Sequence, residues 1–172
     1  LGPAPARFAF VALGSEAREE QTLATDQDNA LIYEDVEEGA DEVARYFLRF
    51  GELVCDSLDR IGYRHCKGGL MAKNPRWNQP LRRWKGYVAE WMAEPDAQAL
   101  TNCNVFFDHR CLYGDRSLVT AWWQEILGIL AARPAFLSHM ALATLQYKPP
   151  VGLFGRIVTE SDGEVPNTFS IK

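Results

Sequence analysis

Gly14-Ser15-Glu16-Ala17-Arg18-Glu19-Glu20-Gln21-Thr22-Leu23-Ala24-Thr25-Asp26-Gln27-Asp28-Asn29-Ala30-Leu31 decides the fold. An apolar run, Arg7 to Leu13, leads into it and reads as a buried strand; a second run, Ala30-Leu31-Ile32-Tyr33, leads out as another. Between them Gly14-Ser15 predicts a turn, with Ser15 as N-cap of a short helix from Glu16 to Leu23. Side chains alternate along an extended segment, so Asp26 and Asp28 project together at the mouth of the second strand. Two carboxylates held side by side need a cation or a proton between them. A hard divalent ion, Mg²⁺ in particular, suits that role, since it binds through one or two carboxylates plus substrate phosphates. Order along the chain narrows the chemistry: phosphohydrolases with an aspartyl nucleophile in a DxD carry it after an apolar strand, whereas here the strand follows the aspartates. Gly14-Ser15, at a strand end and opening a helix, offers backbone N–H groups and a hydroxyl to phosphate. Either motif alone means little, but a Gly-Ser turn followed eleven residues later by DxD and then a strand is specific.

Working outward, Val43, Phe47, Phe50, Val54 and Leu58 recur at helical spacing and predict an amphipathic helix over Asp41–Ile61, stopped at Gly62. Arg64 to Pro75 is basic and Gly-rich, a strand or loop that passes close to a ligand or another backbone. Leu81 to Met92 is helical again, and Asn104 to Arg110 reads as an apolar strand bearing a carboxylate, Asp108. Two helices follow, near 116–132 and 135–146, then a hairpin over Phe154–Thr159 and Asn167–Lys172. The order predicts an α/β (α+β) fold: a mixed β-sheet flanked by helices with an attached helical bundle. Residues 1–172 read as one domain, with a helical subregion at 115–148. The five tryptophans fall at spacings that assign them to the core rather than to base stacking.

Hydrophobic residues make up 47% of the 172 and charged residues 24%, which excludes wholesale disorder and a large multidomain enzyme. A net charge of −5 argues against nucleic acid as partner. With no window near the roughly 20 apolar residues that span a bilayer, the reading is soluble and cytoplasmic, with no membrane partner. The missing initiator Met and a strand-like end suggest a piece of a longer protein. Cys55, Cys66, Cys103 and Cys111 form no CxxC pair and read as reduced thiols. Charge is uneven: Glu16 to Glu42 holds eleven acids and one base, Arg18, whereas Arg60 to Gly86 holds eight bases and no acid. Such runs are either two solvated faces or a site that holds cations with one run and an anionic ligand with the other.

The Gly-Ser, short helix and DxD series resembles the DNA polymerase β-like nucleotidyltransferases, in which a third acid comes from another strand. The fuller string from Gly14 to Leu31, with Cys66 to Trp77 and Phe106 to Arg110 plus Gly114-Asp115, is similar to a narrower group. That group is a bacterial nucleotidyltransferase family of unknown function, usually adjoining CBS or cyclic-nucleotide-binding domains and related to the PII-protein uridylyltransferase. The resemblance covers residues 8–172. It implies that Asp26, Asp28 and Asp108 are catalytic carboxylates holding two Mg²⁺ ions, with Asp108 also helping to deprotonate an acceptor hydroxyl. It implies further that Gly14, Ser15 and Arg18 bind the phosphates of an NTP, with Lys67, Lys73 and Arg110 as further nucleotide-binding candidates. Walker, Rossmann and protein-kinase signatures are absent.

The expected activity is therefore Mg²⁺-dependent transfer of NMP from an NTP to a hydroxyl, with release of pyrophosphate and, by kinship, an acceptor protein's tyrosine as target. Two other classes compete: a nucleotide-sensing module without turnover, and a protein-interaction domain of a signalling protein. A CBS or cyclic-nucleotide-binding domain in the same full-length chain is the expected neighbour.

Overall fold

The computed structural model describes residues 1–21 and 25–144. In chain order the elements are β1 (Phe8–Leu13), α1 (Gly14–Ala17), β2 (Asp26–Gln27), β3 (Asn29–Tyr33), α2 (Ala40–Arg60) and β4 (Arg64–His65). A single 3-10 turn (Pro75–Trp77) leads into β5 (Asn78–Pro80), then α3 (Leu81–Ala93), α4 (Ala97–Phe107), β6 (His109–Gly114), α5 (Arg116–Ala132) and α6 (Pro134–Thr144). Four strands form a mixed sheet in the order β5-β3-β1-β6, and β2 and β4 form a separate parallel pair. β1 runs antiparallel to both β3 and β6, while β3 and β5 are parallel.

Alternation along the strands divides the core in two. Ala9, Val11 and Leu13 of β1, with Ala30 and Ile32 of β3, face α3 to α6; Phe10, Leu31 and Tyr33 face α2. On the α2 side Val43, Phe47 and Cys55 fill the interface, and Tyr33 stacks on Phe47 with centroids 4.8 Å apart. On the other side Trp77, Trp84, Trp91, Phe106 and Trp122 form an aromatic nest, and the Trp84 indole N–H donates to the Leu31 carbonyl at 3.1 Å. Full burial of each such side chain contributes about 1.5–3 kcal/mol or more. The tryptophans therefore serve the core, as their spacing predicts.

The helix predicted over Asp41–Ile61 is α2, displaced by one residue, and the pair predicted near 116–132 and 135–146 corresponds to α5 and α6. Two expectations fail. The helix predicted from Glu16 to Leu23 is the single turn α1, which starts at Gly14 and ends at Ala17, with Arg18 and Glu19 already in a turn and Glu19 at φ +60°. Asn104 to Phe107 belongs to a helix, not a strand: the Asp96 carboxylate caps α4 by accepting the Ala99 N–H at 2.7 Å, and Ala99, Cys103 and Phe106 then fall on one buried face. The strand begins only at His109. The expected C-terminal hairpin lies outside the described residues, as do residues 145–148 of the helical subregion. The four cysteines are free thiols. Among the described residues no single helix is long and apolar enough to cross a membrane.

Candidate active site

β1 lies between two antiparallel neighbours, so its carboxyl end meets the amino ends of β3 and β6. Two backbone bonds fix that meeting: Leu13 N–H donates to the Asp28 carbonyl at 3.0 Å, and Gly14 N–H to the Asp108 carbonyl at 2.9 Å. Asp28 and Asp108 thus flank the end of β1, roughly two interstrand spacings or about 10 Å apart in backbone. Gly14-Ser15 sits between them.

Gly14 has φ +55°, a left-handed conformation that side chains other than glycine's adopt at a cost, and so it can turn the chain from strand into α1. The N-cap is Leu13 rather than the predicted Ser15, and no side chain caps the helix. Ser15 lies one residue inside the turn. Because α1 is only four residues long, its aligned dipoles sum to little, and amides and the hydroxyl are what it can offer to phosphate. Arg110 holds this turn in place, with Nη2 donating to the Glu16 carbonyl at 2.9 Å and Nε to the Ala17 carbonyl at 3.3 Å.

The segment carrying the two aspartates is anchored by the residues between them. Gln27 and Asn29 are buried, which leaves Asp26 and Asp28 half-buried on the opposite side. Gln27 Nε2 donates to the Cys55 and Tyr63 carbonyls, both at 3.0 Å. Asn29 Oδ1 accepts the Ala72 N–H at 2.8 Å and the Cys55 thiol at 3.4 Å. Parallel pairing of β2 with β4 aligns Asp26 with Arg64 and Gln27 with His65, and Asp28 and Cys66 each follow directly after the paired residues. Asp26, Asp28 and Cys66 consequently present ligand atoms that all lie within 4.8 Å of one another. Burial, followed by the bond its thiol makes to Asp28, pushes Cys66 up to about 11. Burial also raises the Glu16 carboxyl; Arg110 opposes this and Asp28 adds to it, so Glu16 extends the negative field of the pair.

The remaining sequence candidates are distributed around this centre. Asp108 is not part of the carboxylate–thiol cluster: its Oδ2 accepts from Arg18 Nη1 at 2.5 Å, and Arg18 Nε also pairs with Glu20 at 2.8 Å. Lys67 is exposed at the rim, next to Cys66. Lys73 pairs with Asp56 of α2 at 2.5 Å. Three more bases of the basic third meet nearby acids: Arg82 with Asp35, Arg83 with Glu90 and Lys85 with Glu125. Sequence reasoning missed Cys66 and Glu16 as neighbours of the aspartates, because a strand pairing and a one-turn helix bring them there and no spacing encodes either.

Two carboxylates with a third donor make a set that fits a divalent cation. Residues 1–98, of the chain's 172, match the family described as "Putative nucleotidyltransferase DUF294". The chain belongs to this family. Its enzymes take an NTP and a divalent metal, and the Gly14-Ser15 turn and the aspartate pair both fall inside the matched residues. Residues 134–172 match a second description, "Putative nucleotidyltransferase substrate binding domain". Its first element, α6, packs on α4, the helix that ends just before Asp108. No curated protein and no solved structure matches the chain.

Proposed function

We propose that the chain transfers NMP from an NTP to a hydroxyl of an acceptor protein, a tyrosine in the manner of the PII uridylyltransferase, and releases pyrophosphate. The observation that carries this reading is the convergence of Gly14-Ser15, Asp26/Asp28 and Asp108 at one sheet end, through the Leu13–Asp28 and Gly14–Asp108 backbone bonds. Two Mg²⁺ ions, held by Asp26, Asp28 and Asp108, would neutralise the developing charge on the phosphates and the attacking oxygen. The Ser15 hydroxyl and the α1 amides bind phosphate oxygens. Arg18 leaves Asp108 to neutralise the β- and γ-phosphates, with Lys67 at the rim as a further cation. Once released, Asp108 Oδ2 accepts the proton of the acceptor hydroxyl. The new bond joins the acceptor oxygen to the α-phosphorus as the bond to the bridging oxygen breaks, and that oxygen leaves with pyrophosphate. Arg110 acts through α1, whose carbonyls it holds. The acceptor approaches from the side of α6, the described part of the segment that matches a substrate-binding domain.

A second reading, nucleotide sensing without turnover, is favoured by one feature: Asp108 is already satisfied by Arg18. The test is incubation of the full-length protein with each labelled NTP, Mg²⁺ and cell extract, beside Asp26→Asn plus Asp28→Asn. Transfer to a protein band that disappears in the double variant is the expected result. Transfer that survives it refutes the metal assignment, and NTP binding with no transfer selects the sensor.

A further inference from the structure

Cys66 has no role in the nucleotidyltransferase reading, yet its sulfur stands with the two aspartates. We infer that Cys66 is a third protein ligand at this centre for borderline or soft divalent cations (Mn²⁺, Co²⁺, Zn²⁺, Cd²⁺), and so sets which metals the site prefers. The inference rests on the reading of Asp26 and Asp28 as metal ligands. Three observations carry it. The donor atoms of the three residues lie within 4.8 Å of one another. Bonds of about 2.3 Å to sulfur and 2.1 Å to oxygen place donors roughly 3.4–3.6 Å apart around a tetrahedral ion, so donors as far apart as 4.8 Å close on the ion by shifts of up to about 1 Å. The position is built rather than accidental: the β2–β4 pairing ends one residue before Asp28 and Cys66, the Cys66 thiol bonds to Asp28, Gly69 N–H donates to the Cys66 carbonyl at 3.0 Å, and Asn74 Nδ2 holds the Gly69 carbonyl at 3.0 Å. The other thiols are committed elsewhere: Cys55 to Asn29, Cys111 toward the Tyr113 carbonyl, and Cys103 to the core.

Thiolate ligands select against Mg²⁺, which takes oxygen donors, and favour softer ions. With Mg²⁺ bound, Cys66 stays a thiol and a hydrogen-bond donor. With a softer ion the sulfur enters the coordination sphere and its proton leaves to solvent. The site thus has two coordination modes that share the same carboxylates.

The test is titration of the protein with Co²⁺, read as the near-ultraviolet thiolate-to-cobalt charge-transfer band, together with calorimetric Cd²⁺ and Mg²⁺ binding. The band should appear with the first equivalent, vanish in Cys66→Ser, Cys66→Ala and Asp26→Asn plus Asp28→Asn, and persist in Cys111→Ser. Cys66→Ser should weaken Cd²⁺ by at least about tenfold, the lower end of what loss of even an outer-shell partner costs, and leave Mg²⁺ nearly unchanged. Co²⁺ that binds without the band, or with a band that survives in Cys66→Ser, overturns the sulfur ligand and leaves the aspartate pair standing. A wild-type protein that binds none of these ions overturns both.

Discussion

Asn29→Ala probes the point where the metal-binding segment is tied to the rest of the fold. Asn29 is 1% exposed, and its Oδ1 takes the N–H of Ala72, itself fully buried, at 2.8 Å. Truncation leaves that N–H without an acceptor and out of reach of water, which costs about 1–3 kcal/mol. The weaker bond from the Cys55 thiol and the contact with Gln27 Oε1 at 3.3 Å go too, and a small void replaces the amide. A total near 2–4 kcal/mol is a large fraction of the 5–15 kcal/mol that holds a typical domain together. At about 1–3 kcal/mol per molar urea, the unfolding midpoint should fall by roughly 1–2 M. Ala72 closes the loop that carries Cys66, so affinity for the metal should fall in the same variant even where it remains folded. Urea denaturation followed by circular dichroism, with calorimetric metal binding below the transition, measures both. A loss under about 0.5 kcal/mol would show that the loop finds another acceptor and refute the argument.

Gly51→Ala should destabilise by about 1–3 kcal/mol or more, because a Cβ there would lie 2.2 Å from the Ala72 carbonyl oxygen; a thermal melt reads the loss directly. In Arg110→Ala, α1 loses both carbonyl tethers; the expected outcome is a stability change of only about 1 kcal/mol with clear loss of NTP affinity, measured by melting and equilibrium binding. Glu34 is held below its ordinary 4.5 by bonds from the Arg7 backbone and side chain, so it contributes stability above that value and loses it as pH falls through the lowered one. Between about pH 5 and 3 the Tm of the wild type should therefore fall more steeply than that of Glu34→Gln, and equal slopes would remove Glu34 from the acid response.

What the sequence disclosed was local. From Phe8 to Tyr33 the strand, turn, aspartates and second strand are contiguous, so periodicity and turn chemistry sufficed, and α2 announced itself by its apolar stripe. Val105-Phe106-Phe107 misled because these are strand-favouring residues; the cap at Asp96 and the buried face through Ala99, Cys103 and Phe106 override that preference. Arg18 on Asp108 and Cys66 on Asp28 depend on strand pairings between distant segments, which no local pattern records. Of the two readings left open for the charge runs, that of solvated faces describes Lys73, Arg82, Arg83 and Lys85, each of which meets an acid, Arg82 alone one in the acidic third.

β1's place between β3 and β6 has a consequence for synthesis. Its six residues, Phe-Ala-Phe-Val-Ala-Leu, are made before both partner strands, and one of their two edges waits for His109–Gly114. Until residue 114 has left the ribosome, a growing chain exposes an apolar, unpaired edge strand of the kind that recruits other chains. A fragment cut after α3 would keep that edge permanently. It would retain both aspartates of the pair, yet aggregate before either could be assayed.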